Sequence, residues 1–353
     1  MSGMRRFLFP LLCGATTAAG ATLLGRKKQQ ERDELRIRTP RGVELEEFVP
    51  IGGIEQYLHH RGKDVLNPVM LFLHGGPGSP ELPFANQFQP AWEHRLTIVH
   101  WDQRGCGKTF ARNHAEKADD SLSMELLLSD LHEIVAYLKG KYHKDRIILM
   151  GHSWGTVLGS VYAHRHPENV LAYIGVGQVV NMQENERVGF QKVLEAAAEN
   201  EADQKKLRAL EPYPGTFPNL MRKIMKVRQL QIKYKLADGV TWENAKAVLT
   251  SPFYSVKDAT WFLRPDVLEL QRSLYQDLFD FDLPSLASEY SIPFYIIQGE
   301  DDYQTPYPLA KAYFDTVSAP VTGFYSIPSA GHFTMADQKQ RFNEALFRIL
   351  GTL

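Results

Sequence analysis

The stretch "MGHSWGTVLG", residues 150–159, places Ser153 between two glycines, each two positions away from it. Glycine usually makes up about 7% of a protein, so one chance match to this pattern in 353 residues has odds of roughly one in ten. The pattern therefore indicates a nucleophilic serine only if a strand precedes it, a helix follows it, and later loops supply the other catalytic groups.

The segments on either side of Ser153 meet the first two conditions. Before it, "RIILM" (146–150) is a short apolar run typical of a buried strand, and after it "TVLGSVYAHRH" (156–166) is typical of a helix. Gly151 and Gly155 permit a sharp turn between them, which places the serine beside a helix N-terminus that stabilises negative charge. We interpret Ser153 as a nucleophile.

Further apolar runs predict a doubly wound, mostly parallel α/β sheet. Short runs that are apolar on both faces belong in a parallel sheet covered by helices. Two half-buried strands that meet at Gly52-Gly53 precede them, and helical patterns over 121–140 and 336–350 supply part of the cover. The runs are "VMLFL" (69–73), "LTIVHW" (96–101), "RIILM" (146–150), "LAYIGV" (171–176), "FYIIQG" (294–299) and "GFYSIP" (323–328).

The positions of these runs predict the domain organisation. Residues 41–178 and 288–353 contain all the predicted strands and form the core of the fold. Residues 179–287 are mostly helical in pattern and form a cap, or lid, at the carboxyl edge of the sheet. In this cap "MRKIMKVRQLQIKYK" (221–235) is strongly basic, and a solvated helix face is favoured over a surface for a membrane or a partner.

The N-terminus, residues 1–28, is a separate hydrophobic segment. Residues 7–25 carry no charge and lie between basic residues, and their length is just enough to cross a bilayer as a helix. An uncleaved membrane anchor is the favoured interpretation, so we expect a membrane-associated protein. The alternatives are a signal peptide cleaved after "AGA" (19–21), with export, and a flexible tail. Residues 29–40 are predicted to be a charged linker.

Composition excludes several other classes of protein. Lys plus Arg (40) and Asp plus Glu (41) nearly cancel, so we expect no nucleic-acid partner. Cys13 and Cys106 lie in unrelated segments and predict no disulfide framework. The chain has no zinc-type ligand spacing, P-loop or dinucleotide fingerprint. The oligomeric state is left open.

A nucleophilic serine needs a base, and the base needs an acid that orients it. The loop "SAGHF" (329–333) follows the last predicted strand and supplies His332 as the base. The loop "GEDDYQTP" (299–306) supplies Asp301 or Asp302, and the flanking glycine and proline favour Asp302 as the acid. Asp301 is then a turn residue that bonds its own backbone.

Two backbone amides are predicted to bind the oxyanion. One belongs to Trp154, directly after the nucleophile, and the other to Gly76 in the loop "HGGPG" (74–78), with Gly75 as the alternative. His74 is predicted to brace this loop, and His152 to pack and form hydrogen bonds rather than to act as a second base.

Three motifs in this order, "HGGPG", "DQRGCGKT" (102–109) and "GHSWGT" (151–156), resemble the proline iminopeptidase, or prolyl aminopeptidase, family of α/β-hydrolases. The resemblance covers about residues 43–350. It implies the α/β-hydrolase fold and a serine hydrolase, without metal or organic cofactor, that releases N-terminal residues, often proline, from peptides. It places the catalytic triad on Ser153, Asp302 and His332, and Asp102 and Arg104 are interpreted as loop-fixing residues.

Two departures from the family keep the substrate open. The family often has Gly-Gly-Ser-Trp-Gly-Ser at the nucleophile and Gly-Arg-Tyr-Asp at the acid, where this chain has "GHSWGT" and "GEDD". An aminopeptidase acting on peptides is the favoured hypothesis. A carboxylesterase or other hydrolase of small acyl substrates is the second, and a catalytically silent binding module is the third.

The resemblance also implies that acidic residues on the cap bind the substrate amine. The cap opens with "GQVVNMQENERVGF" (177–190), in which Glu184 and Glu186 are the candidates. A cationic amine in a lidded pocket needs a carboxylate partner. The competing interpretation is that both residues belong to the solvated first turn of a helix, where the helix dipole favours acids.

Overall fold

A computed structural model describes residues 18–113, 122–216, 219–238 and 242–353, and these contain one eight-stranded sheet. The strands are β1 Val43–Ile51, β2 Ile54–Gly62, β3 Val69–Leu73, β4 Thr97–Asp102, β5 Ile147–His152, β6 Val170–Val176, β7 Phe294–Gly299 and β8 Thr322–Ile327. Their order is β1-β2-β4-β3-β5-β6-β7-β8. The pairs β1–β2 and β2–β4 are antiparallel and the other five are parallel, which confirms the predicted α/β fold.

The central strands are buried on both faces, and β3 shows why they are apolar at every position. Val69, Leu71 and Leu73 point into one hydrophobic core, whereas Met70 and Phe72 point into a second core on the opposite face. Because side chains alternate along a strand, only a continuous apolar run fills both cores.

Helices form a layer on each face of the sheet and most of the described part of the cap. Outside the cap they are α1 Ala18–Glu34, α2 Ala85–Phe88, α3 Gly107–Asn113, α4 Met124–Tyr142, α5 Trp154–Arg165, α14 Tyr307–Phe314, α15 Thr334–Asp337 and α16 Lys339–Leu350. Between β6 and β7 lie α6 Met182–Ala196, α7 Glu201–Arg208, α8 Leu220–Lys233, α9 Trp242–Thr250, α10 Val256–Ala259, α11 Val267–Leu270, α12 Arg272–Asp280 and α13 Leu283–Leu286.

The cap helices α6 to α13 lie within the predicted range 179–287. Three of them, α6, α7 and α8, share an apolar cluster of their own, which includes Val193, Leu207 and Val227. This cluster stabilises the cap independently of the two cores beside the sheet. The insertion follows β6, so the cap stands at the carboxyl ends of the parallel strands.

The N-terminal helix α1 extends through residues 29–34 of the predicted linker. Its basic side chains hold it against the cap, because Lys28 Nζ donates to the carbonyl of Tyr254 (2.6 Å) and Arg32 Nη2 donates to that of Pro252 (2.7 Å). None of the helices in the described residues is long and apolar enough to span a bilayer. Residues 1–17 lie outside the described residues, so the membrane segment over 7–25 stays a prediction.

Candidate active site

The turn between β5 and α5 holds Ser153 in an uncommon backbone conformation. Its φ of 52° and ψ of −119° lie outside the regions that L-residues favour, and such strain persists only where the surroundings impose it. A Cβ atom on Gly155 would lie 1.9 Å from the carbonyl oxygen of Leu73, and one on Gly151 would lie 2.4 Å from that of Gly155. Both glycines are therefore required by packing.

The structure brings Asp302 and His332 together from the loops after β7 and β8. His332 Nδ1 donates to Asp302 Oδ2 over 2.8 Å. The other oxygen, Oδ1, accepts the backbone amides of Gln304 and Thr305, each over 2.9 Å. The preceding Asp301 is exposed. Only Asp302 is therefore placed to orient the histidine.

These contacts keep Asp302 ionised. Burial opposes its negative charge, but the neighbouring His332 and the hydrogen bonds from His332 and Thr305 outweigh burial and hold the pKa of Asp302 below its ordinary value. Because Nδ1 of His332 is engaged, Nε2 is the nitrogen left to accept a proton from a hydroxyl.

Ser153, His332 and Gly76 line one cavity of about 180 Å³ under the cap. Most of its wall is apolar and comes from the cap. Among the described residues that line the cavity, none carries a carboxylate. A larger, open depression along α1 contains none of the predicted site residues. The other lining residues of the cavity are Val179, Met182, Met221, Ile224, Met225, Arg228, Leu268, Tyr275, Leu278, Phe279, Gln304 and Thr305.

The loop after β3 distinguishes between the two candidate oxyanion donors. The amide of Gly75 already donates to Glu81 Oε1 over 3.0 Å. Gly76 faces the cavity, with a φ of +113° that favours glycine. Trp154 is the first residue of α5, where an amide lacks an intrahelical partner. The geometry thus favours Gly76 over Gly75.

The two cap glutamates are not placed as free amine-binding carboxylates. Glu184 pairs with Arg187 on the same helix, has a side chain 42% exposed, and does not line the cavity. Glu186 is buried, but its Oε1 accepts from Arg228 Nη2 over 2.8 Å, and its Oε2 accepts from the Tyr213 hydroxyl. Among the described lining residues, the side chain with a permanent charge is that of Arg228.

Arg228 is a residue that the sequence interpretation missed. It lies in the basic stretch 221–235, for which the sequence favours a solvated helix face. Its side chain is only 16% exposed, however, and pairs with Glu186 from α6, 42 residues away in the chain. Nothing in the local pattern of α8 distinguishes it from the exposed Arg222 and Lys226.

The remaining polar residues of the motifs fix loops. Arg104 forms an ion pair with Asp130 (2.8 Å), and Asp102 accepts the hydroxyl of Tyr254 (2.6 Å). His74 accepts the Gln103 amide at Nε2 (3.2 Å), and its Nδ1 is 2.9 Å from the carbonyl of Gly75. Burial lowers the pKa of His74 to about 4, so it is a neutral brace.

Comparisons with known proteins agree with this architecture. Residues 68–338 match the alpha/beta hydrolase fold family. The chain is 26% identical over 318 residues to a probable aminopeptidase of Bacillus subtilis (strain 168). The aligned region covers 88% of this chain and 98% of that protein. It is 28% identical over 282 residues to a putative proline iminopeptidase of Mycoplasma pneumoniae, covering 74% and 84% of the two chains.

Among solved structures, the proline iminopeptidase-related protein of Thermus thermophilus has a TM-score of 0.64 at 22% identity. The similarity covers 88% of this chain and 98% of that protein, and at this identity it shows the fold. Because the family match spans most of the sheet, the cap and all three candidate catalytic residues, the chain belongs to the alpha/beta hydrolase fold family and is a hydrolase.

Proposed function

We propose that this hydrolase acts through an acyl-enzyme on Ser153, with His332 as general base and Asp302 as its orienting acid. The observation that carries the proposal is the Asp302–His332 hydrogen bond, which leaves the histidine facing the same cavity as the strained serine. Ligand binding alone does not require a serine in a strained backbone conformation together with a histidine oriented by a carboxylate.

In this mechanism Ser153 Oγ attacks the scissile carbonyl carbon while its proton passes to His332 Nε2. The amides of Trp154 and Gly76 stabilise the oxyanion that forms. The leaving group takes the proton from His332 and departs. Water then attacks the acyl-enzyme with His332 again as base, and the serine is regenerated.

The substrates that we propose first are peptides with a free N-terminal residue. Similarity to a probable aminopeptidase along nearly the full length of both chains supports this choice. The cavity of about 180 Å³ is smaller than the range of about 300–1,000 Å³ usual for drug-sized ligands, which suits a single residue. Its apolar wall favours proline or another apolar residue.

A second candidate, a hydrolase of uncharged esters or other small acyl substrates, is favoured by one observation. A buried cationic amine needs a carboxylate partner, yet the described wall of the cavity contains none. Glu186 could serve an amine only by giving up part of its pairing with Arg228 and Tyr213.

A substrate panel with matched variants separates the two candidates. Wild type, Glu186→Gln and the control Glu184→Gln are assayed on proline and alanine anilides and on a p-nitrophenyl ester. If Glu186 binds the amine, Glu186→Gln raises KM for the anilides by about tenfold or more and leaves the ester nearly unchanged, because only the anilides carry the charge. Glu184→Gln leaves both unchanged. Ester hydrolysis without anilide hydrolysis by the wild type would exclude the aminopeptidase.

A further inference from the structure

A buried carboxylate connects the loop after β3 with the nucleophile turn. Glu81 Oε1 accepts the amide of Gly75 (3.0 Å) and lies 2.5 Å from Nδ1 of His152, the residue before Ser153. Both side chains are more than nine-tenths buried. A Cβ atom placed on Gly75 would contact both Glu81 and Ser153, so the carboxylate lies close to the nucleophile.

The other nitrogen of the His152 ring reaches the loop of the predicted base. Nε2 donates to the backbone carbonyl of His332 over 2.9 Å, and the two imidazole rings are 4.9 Å apart. An ionised carboxylate and a carbonyl both only accept hydrogen bonds. With Glu81 ionised, His152 satisfies both of them only when both of its ring nitrogens carry protons, that is, as a cation.

We propose that Glu81 and His152 form a positioning pair that fixes the loop 74–78, Ser153 and His332 relative to one another. The pair does so only while His152 is cationic. The inference rests on the proposed role of Ser153. Neither residue attacks the substrate. They act through the Gly75–Gly76 backbone, through Ser153 and through the backbone of His332.

The charges around His152 agree with this state. The groups that face it are Glu81 from the loop after β3, and Asp302 and His332 from the loops after β7 and β8. Burial alone disfavours the cation, but Glu81 above all, with the His332 carbonyl and Asp302, raises the pKa of His152 to about 9.

Loss of the proton therefore breaks the pair. A neutral His152 can donate from only one nitrogen, so either Glu81 or the His332 carbonyl loses its bond. Since the pKa is raised, the bonded state is present at neutral pH and is lost as the pH rises through about 9. The rate of serine acylation is expected to fall over the same interval.

The test is the pH dependence of the rate at which a fluorophosphonate phosphonylates Ser153, forming a P–O bond and releasing fluoride, which needs no knowledge of the substrate. In the wild type the rate falls on the basic side near pH 9. In Glu81→Gln the partner charge is gone and burial remains, so the fall moves down by about two pH units or more. At pH 8 the variant is then phosphonylated about tenfold or more slowly. In Glu81→Asp, which keeps the negative charge, the rate falls at a pH between those of Glu81→Gln and the wild type.

The control is Glu93→Gln. Glu93 is another buried carboxylate, but it pairs with Arg61 over 2.7 Å and does not line the cavity. The substitution is expected to lower stability without moving the pH profile. If Glu81→Gln does not fold, His152→Gln serves instead. A glutamine does not titrate, so the fall near pH 9 disappears.

NMR titration of His152 in the Ser153→Ala protein measures the charge directly and needs no nucleophile. The proposal would be overturned by a folded Glu81→Gln protein whose labelling rate falls near pH 9 as in the wild type. It would also be overturned by a His152 that is neutral at pH 7.5 in Ser153→Ala. A wild type that is not labelled at all would instead contradict the role of Ser153, while the titration still decides the state of His152.

Discussion

Asp301 and Asp302 are neighbours in the chain, yet only Asp302 is buried, bonded to His332 and held ionised. The choice between them could be made from sequence because local turn geometry, set by Gly299 and Pro306, decides which carboxylate points inward. Partners far apart in the chain give no such local signal. The pairing of Glu186 with Arg228 and that of Glu81 with His152 were therefore missed.

Substituting each aspartate in turn tests which of them is the acid. Asp302→Asn lowers kcat by roughly 10⁴, because His332 loses the acceptor that fixes its tautomer, whereas Asp301→Asn changes kcat less than about twofold. Steady-state kinetics on the best substrate of the panel checks both values. The reverse ranking would place the acid one residue earlier.

Among the elements, the strands were the most predictable and the N-terminal helix the least. Runs such as "VMLFL" are apolar throughout because both faces of β3 are buried, and that requirement is visible in the sequence. The part of α1 beyond residue 28 is polar, and the sequence predicts a linker there. It is held by Arg32 on a carbonyl of the cap, 220 residues away, which no local pattern reveals.

The packing of α5 on β3 can be tested through glycine. Gly155→Ala would place a methyl group 1.9 Å from the Leu73 carbonyl oxygen and is expected to cost more than about 3 kcal/mol of unfolding free energy. Gly140 is exposed in α4, and a Cβ atom built on it would meet no neighbouring atom outside its own helix within 4 Å. Gly140→Ala should therefore raise the free energy of unfolding by about 0.5–1 kcal/mol. Urea unfolding followed by circular dichroism measures both. Equal effects would show that the turn is not sterically constrained.

For the whole molecule, the order of strands and helices along the chain predicts where the site lies. Parallel strands bring their carboxyl ends to one edge, so Ser153, Asp302 and His332 converge although they come from three separate loops. The cap could be predicted as an insertion of helices over this edge. Its internal packing, and hence the cavity wall and its charge, depends on contacts between α6 and α8 that periodicity does not specify.

The proposed mechanism requires that Ser153 is the residue that becomes acylated. Mass spectrometry after treatment with a fluorophosphonate tests it most directly, because the adduct is covalent and can be assigned to one peptide. We predict a single adduct on Ser153 in the wild type, none in Ser153→Ala, and slow labelling in His332→Ala, since the base is then missing. Labelling of folded Ser153→Ala at the rate of the wild type would contradict the acyl-enzyme mechanism on Ser153.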